Sequence, residues 1–246
     1  EMNLPRFLHQ LVGRQAKSNF QTPMVRIQSL SEATKCNIYA KVEYMQPGGS
    51  IKDRAAKYLI QDAISRGDLK PGGTIVEGTA GNTGIGLAKV GHSMGFKCKI
   101  YLPFGIAQNK IDTLLAMGVE TINCADLPLE HPEYYYNLAK EDGQNTKGSA
   151  FMDQFDNPAN ALAHFETTGP EIFSQTQNGS FDAFVYTPGS GGTISGVSQY
   201  IHSQSDTIKV VDIEPPTTWV KPTAEKTAEG YLKFKMLSEK EHPKIG

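Results

Sequence analysis

Long hydrophobic runs are absent from the 246 residues, and no stretch approaches the roughly 18 consecutive apolar residues of a membrane-spanning helix. A surplus of basic charge is also lacking. Lysine and arginine total 24 against 26 aspartates and glutamates, a formal net charge of −2, which speaks against the basic stripe of a nucleic-acid binder. Cysteine is scarce. Cys36, Cys98 and Cys124 are odd in number, scattered and without metal-ligand spacing, which points to free thiols in a reducing compartment. No repeat or low-complexity tract interrupts the chain.

What the sequence does have is glycine, gathered into three turns. The first is Pro47-Gly48-Gly49-Ser50-Ile51-Lys52-Asp53-Arg54. Lys52 stands two residues after a Gly-Gly-Ser turn, at the head of an amphipathic segment. A helix start offers backbone N–H groups to an anion, and an amine placed there can attack an aldehyde cofactor. The plainer reading is a surface lysine in a helix N-terminal turn.

The second turn, Glu77-Gly78-Thr79-Ala80-Gly81-Asn82-Thr83-Gly84, follows the apolar run Thr74-Ile75-Val76 and opens a helical pattern from Ile85 to Met94. The third, Gly189-Ser190-Gly191-Gly192-Thr193, follows Ala183-Phe184-Val185-Tyr186 and opens a helix from about Ile194 to His202. Strand, glycine-rich turn and helix form the context in which backbone amides meet a ligand. The third turn, with its hydroxyls, suits a phosphate without needing lysine or arginine. Packing alone also makes βα turns glycine-rich, so each turn is ambiguous when taken singly.

Strand and helix patterns alternate along the chain. Strands are expected at Val25 to Leu30, Ile38 to Tyr44, Thr74 to Val76, Lys97 to Leu102, Val119 to Cys124, Phe181 to Tyr186 and Ile208 to Ile213. Helices are expected at Ile51 to Arg66, Ile85 to Met94, Asn109 to Met117 and Pro132 to Asp142, with a longer helix from Pro158 to Gln175 around a Glu166-Thr167-Thr168-Gly169-Pro170-Glu171-Ile172 turn. This alternation predicts an α/β fold, with parallel sheet covered by helices on both faces. The opening residues to Lys17 carry apolar side chains at helical spacing, which fits a first helix or the tail of a targeting peptide. Pro215 to Gly246 shows no clear pattern. Both ends read as cut. The compartment is left between cytoplasm and mitochondrion.

Taken together, the three turns resemble the β-family of pyridoxal-phosphate (PLP) enzymes, in the cysteine synthase and cystathionine β-synthase branch. The resemblance runs from about Thr22 to Pro215. It rests on Thr22-Pro23-Met24-Val25-Arg26, Pro47 to Arg54, Glu77 to Gly86, Gln154-Phe155-Asp156-Asn157-Pro158-Ala159-Asn160, Glu166-Thr167-Thr168-Gly169-Pro170-Glu171-Ile172 and Gly189 to Gly196. Ala125 to Leu129 and Tyr134-Tyr135-Tyr136 look like a fungal cysteine synthase-like subgroup.

The resemblance implies a fold-type II, tryptophan synthase β-like architecture of two lobes. The smaller would span 45–151 and the larger 1–44 plus 152–246. It implies PLP as cofactor, with Lys52 as the Schiff-base lysine and Asn82 beside the cofactor ring. Gly189, Ser190, Gly191, Gly192 and Thr193 would cradle the phosphate. Thr79, Ala80, Gly81, Thr83 and Gln154 would meet the α-carboxylate of an amino-acid substrate. Ala80 departs from the serine common in the family, and Ser190 from a threonine. The family's C-terminal part supplies a serine at the pyridine nitrogen, a job that no residue here is assigned. His164 and His202 are expected to be structural.

The implied activity is conversion of O-acetyl-L-serine and sulfide to L-cysteine and acetate, by a homodimer without metal. A cystathionine β-synthase-type reaction and an inactive binding protein are the alternatives.

Overall fold

The computed structural model describes residues 21–79 and 81–213. The expected N-terminal helix, Ala80 and the tail from Pro215 onward lie outside the described residues.

The chain opens with strand β1 (Met24–Arg26), helix α1 (Gln28–Thr34), strand β2 (Tyr39–Lys41) and a 3-10 turn, Glu43–Met45. Two sequence expectations change here. Met24–Arg26 is strand, Ile27 stays extended as the cap, and from Gln28 the remainder of the expected first strand is helix. Leu30 lies exposed on that helix, so the alternation around it reflects no buried face. Ser31 holds the turn, with its Oγ accepting from the amide of Ile38 at 3.0 Å. The β1–β2 pair is also antiparallel, not parallel.

Helix α2 (Lys52–Ser65) follows, then strand β3 (Thr74–Gly78), helix α3 (Asn82–Ser93), strand β4 (Lys97–Leu102), helix α4 (Gln108–Ala116) and strand β5 (Glu120–Asn123). Helix α5 (Tyr135–Asn145) and strand β6 (Ser149–Phe151) complete a four-stranded parallel sheet in the order β5-β4-β3-β6. Strand β6 was not anticipated, since its three residues are too few to show a period.

Successive residues of β3 face opposite sides of the sheet. Ile75 packs into the main core with Leu59, Ile60, Leu87, Ile100 and Leu114. Val76 packs on the other side with Tyr136, Ala139 and Phe151. Glu77 therefore points to the side of α2 and α3. Gly78 points to α5, where an added Cβ would lie 2.9 Å from the Tyr136 Cα.

The longer helix expected from Pro158 to Gln175 around a turn is made of α6 (Ala159–Ala163), a π-helical turn at His164–Thr168, and α7 (Gly169–Gln175) with Pro170 in its first turn. Strand β7 (Ala183–Tyr186), helix α8 (Gly192–Gln204) and strand β8 (Lys209–Asp212) form a second parallel unit. Its core is Ile172, Val197, Ile201 and Ile208. Helix α8 passes close to α6 because residue 196 is glycine: a Cβ there would meet the Ala161 carbonyl at 2.1 Å.

Candidate active site

The first glycine turn is organised by Asp53. Its carboxylate accepts from the Gly48 amide, and a Cβ at Gly48 would lie 2.4 Å from Asp53 Oδ1. Only glycine leaves room for that cap. The turn delivers Lys52 as the first residue of α2. A second glycine lets the neighbouring helix approach, since a Cβ on Gly86 would sit 3.0 Å from the Lys52 carbonyl. Backbone constraint on both sides thus fixes where Lys52 begins.

Its side chain crosses to the third glycine turn, where Nζ donates to Ser190 Oγ at 2.6 Å. Burial lowers the Lys52 ammonium to about 8, against an opposing pull from Glu77. A sizeable fraction of this amine is then a free base near neutral pH, as a nucleophilic lysine requires.

The Gly189–Thr193 turn adopts the form an anion needs. Gly191 has φ +84°, in the left-handed region that favours glycine, and it precedes the first turn of α8. The opening amides of that helix have no intrahelical acceptor, and the helix dipole adds positive potential there. Gly189 is open: a Cβ at that position would meet nothing within 4 Å. Thr193 is turned inward, its Oγ1 lying 3.2 Å from His164 Nε2.

The second turn lies beside the end of β3. Thr79 is buried, and its Oγ1 accepts from the Gly81 amide at 3.3 Å. Asn82 and Thr83 belong to the first turn of α3, three residues before the helix was expected to start. Asn82 is exposed. Thr83 donates to Gln154 Oε1 at 2.6 Å, and Gln154 Nε2 reaches the Gly78 carbonyl at 3.4 Å. The structure therefore brings Thr79, Gly81, Thr83 and Gln154 into one cluster, and Lys52 and Ser190 into another.

Several residues at the site were not singled out in the sequence. Asn160 joins the two clusters through bonds to the Gln154 carbonyl and Ser190 Oγ. Lys110 lies across the second turn, with Nζ 2.7 Å from where a Gly81 Cβ would be. Glu77 is fully buried, and its carboxyl is pushed up to about 8 by burial and then by Asp153. Its position just before the Gly-Thr step was the available signal. His164 is buried behind the phosphate turn and held at Nδ1 by Thr168 at 2.8 Å, while His202 is exposed on α8. Burial, and then the Lys52 and Arg54 charges, keep His164 neutral by holding its pKa well below the ordinary value. Among the described residues no group of three or more His, Cys, Asp or Glu side chains could hold a metal, and no helix is long and apolar enough to cross a membrane.

An amine, an amide-lined anion cradle and a polar clamp converge within this one region, and that donor set fits PLP. Comparison with known proteins agrees with the geometry. Over 196 residues the chain is 48% identical to cysteine synthase 1 of Emericella nidulans, covering 79% of this chain and 53% of that protein. Over 212 residues it is 40% identical to cystathionine beta-synthase of Apis mellifera, covering 85% of this chain and 42% of that protein. The solved structure of O-ureido-L-serine synthase superposes with a TM-score of 0.74 at 34% identity, covering 85% of this chain and 64% of the other. The chain spans about half the length of the curated cysteine synthases it matches. The family model described as pyridoxal-phosphate dependent enzyme matches residues 16–230, and the chain belongs to that family of fold-type II α/β enzymes.

Proposed function

We propose that this chain carries the catalytic residues of a cysteine synthase-type β-replacement enzyme, converting O-acetyl-L-serine and sulfide to L-cysteine and acetate. The observation that carries the reading is the Lys52–Ser190 bond, which sets a free-base-prone amine at a glycine turn suited to phosphate. Names among the relatives support it, since cysteine synthases occur at 48% identity and a cystathionine beta-synthase at 40%. The latter sustains the second reading, in which L-serine and homocysteine are the substrates.

PLP, when bound, supplies the electron sink that labilises the substrate Cα–H bond and the Cβ leaving group. The protein's part is binding and proton handling. Lys52 Nζ would hold the cofactor aldehyde and would be the base that takes the substrate Cα proton. Ser190, Thr193 and the amides of Gly189, Gly191 and Gly192 would hold the phosphate. Asn82, exposed at the head of α3, would offer its amide to the cofactor ring.

The substrate carboxylate would be received by the Thr79 hydroxyl and the Thr83 amide, beside Gly81, while the Thr83 hydroxyl proton is held by Gln154 Oε1 at 2.6 Å. Alanine at position 80, where the family commonly has serine, brings no hydroxyl. Lys110 adds positive charge beside the carboxylate. We further propose the division into a smaller lobe, 45–151, and a larger one, 1–44 plus 152–246, and a homodimeric assembly.

The test is direct. Purified protein is incubated with PLP and reduced with borohydride, then digested and mapped. Cofactor mass on the Lys52 peptide, with cysteine formed from O-acetylserine and sulfide, supports the reading. Labelling elsewhere, or PLP binding without turnover of either substrate pair, counts against it.

A further inference from the structure

One side-chain amide spans both clusters of the site. Asn160 is the second residue of α6 and is only 3% exposed. Its Nδ2 donates to the Gln154 carbonyl at 2.8 Å and to Ser190 Oγ at 3.0 Å. Its Oδ1 is buried and has no hydrogen-bond partner among the described residues. A Cβ on Gly192 would lie 2.2 Å from that Oδ1 and 2.3 Å from Cγ. The amide thus fills the volume that any larger residue at 192 would need.

The bonding capacity of Ser190 gives this contact a direction. A hydroxyl has one proton and two lone pairs. Asn160 Nδ2 donates to Ser190 Oγ, and Lys52 Nζ does so until the cofactor takes up that amine, so Asn160 is the donor that keeps the hydroxyl an acceptor once PLP is bound. The proton is then the remaining capacity, available to an acceptor in the recess lined by Gln154, Asn160, Ser190, Gly191, Gly192 and Ser195.

We propose that Asn160 is a positioning residue that holds Ser190 as an acceptor and so aims its proton at the cofactor phosphate. Through the Gln154 carbonyl the same amide fixes the distance between the phosphate cradle and the substrate-carboxylate clamp. The inference rests on the PLP reading above and is separable from it.

The experiment is a double-mutant cycle on PLP affinity, using the full chain with Asn160→Ala, Ser190→Ala and both together, and recording the melting temperature of each without cofactor. Each single change should weaken PLP binding by about tenfold, the loss of one hydrogen bond to a charged group. The double variant should bind no more weakly than Ser190→Ala, because Asn160 acts through that hydroxyl. Gly192→Ala pushes the amide away from the other side, and it should reproduce the tenfold loss even if Asn160→Ala folds poorly. Losses that multiply in the double variant would overturn the proposal. So would lowered melting temperatures with PLP affinity unchanged. Wild-type protein that binds no PLP would remove the reading of the site itself, and this inference with it.

Discussion

The guanidinium of Arg54 is forked onto the carboxylate of Glu171, Nη1 to Oε1 at 2.6 Å and Nη2 to Oε2 at 2.8 Å, across 117 residues of sequence. The other edge of Arg54 is forked onto Glu43, and Lys41 approaches Glu171 at 2.7 Å. Arg54 sits two residues beyond Lys52. The network therefore fastens the first turn of α2 to the 3-10 turn and to α7. Arg54→Met should destabilise the protein by about 3–5 kcal/mol, because half-buried Glu43 loses its guanidinium partner and buried Glu171 is left with Lys41 alone. Arg54→Lys keeps the charge and loses the fork, and should cost less. Urea unfolding of the two variants checks both the size and the order.

Lys52→Ala should leave the fold intact and abolish covalent capture of PLP under borohydride. In the wild type, the attachment rate should rise with pH up to about 8 and level off beyond it, because the free base is the nucleophile and burial sets its pKa there. A stopped-flow absorbance series from pH 6 to pH 10 measures it. A rate still climbing at pH 10 would mean an ordinary exposed lysine.

Gly189→Asp isolates the electrostatics of the phosphate turn. Space is open at that position, so the new side chain meets no steric barrier, while its carboxylate faces an anion. PLP affinity should fall by about 10-fold to 100-fold, and Gly189→Asn should bind far closer to wild type. Fluorescence titration of both, at low and moderate salt, separates charge from shape.

Glu77→Gln tests a buried carboxyl. Folded Glu77 holds its proton up to about pH 8, mainly through burial and then through Asp153, whereas the unfolded chain releases it near 4.5. Between those values the folded state binds more protons. Raising the pH through that window therefore destabilises the wild type, by up to about 1.4 kcal/mol per pH unit. The glutamine variant lacks this proton, so its stability relative to wild type should grow from pH 5 to pH 8. Urea midpoints that run parallel across that range would refute the assignment.

The three glycine turns were legible because their chemistry is local. Gly48 and Asp53 meet within a few residues, and Gly191 turns the chain directly into α8, so the spacing itself carries the geometry. The roles of Asn160, Glu77 and Arg54 depend on what the folded chain brings to them. Asn160 reaches Ser190 across 30 positions and Gly78 meets Tyr136 on a neighbouring helix, and no period in the sequence records either contact. The strand expected at Val25 to Leu30 failed because alternation cannot distinguish a half-buried strand from an exposed helix. The longer helix at Pro158 to Gln175 forms with a turn inside it, but no period in the sequence marks that turn as π-helical or sets His164 beside Thr193.

Lys52 and Ser190 are 138 residues apart, and that separation has a temporal side. At about 5–20 residues per second, roughly ten seconds of synthesis divide the emergence of the lysine from that of its partner. Until then no nascent intermediate can hold the cofactor at both ends. PLP therefore rewards a finished architecture and gives nothing to a partial one. Its cellular concentration acts on the balance between folded and unfolded chains after release from the ribosome.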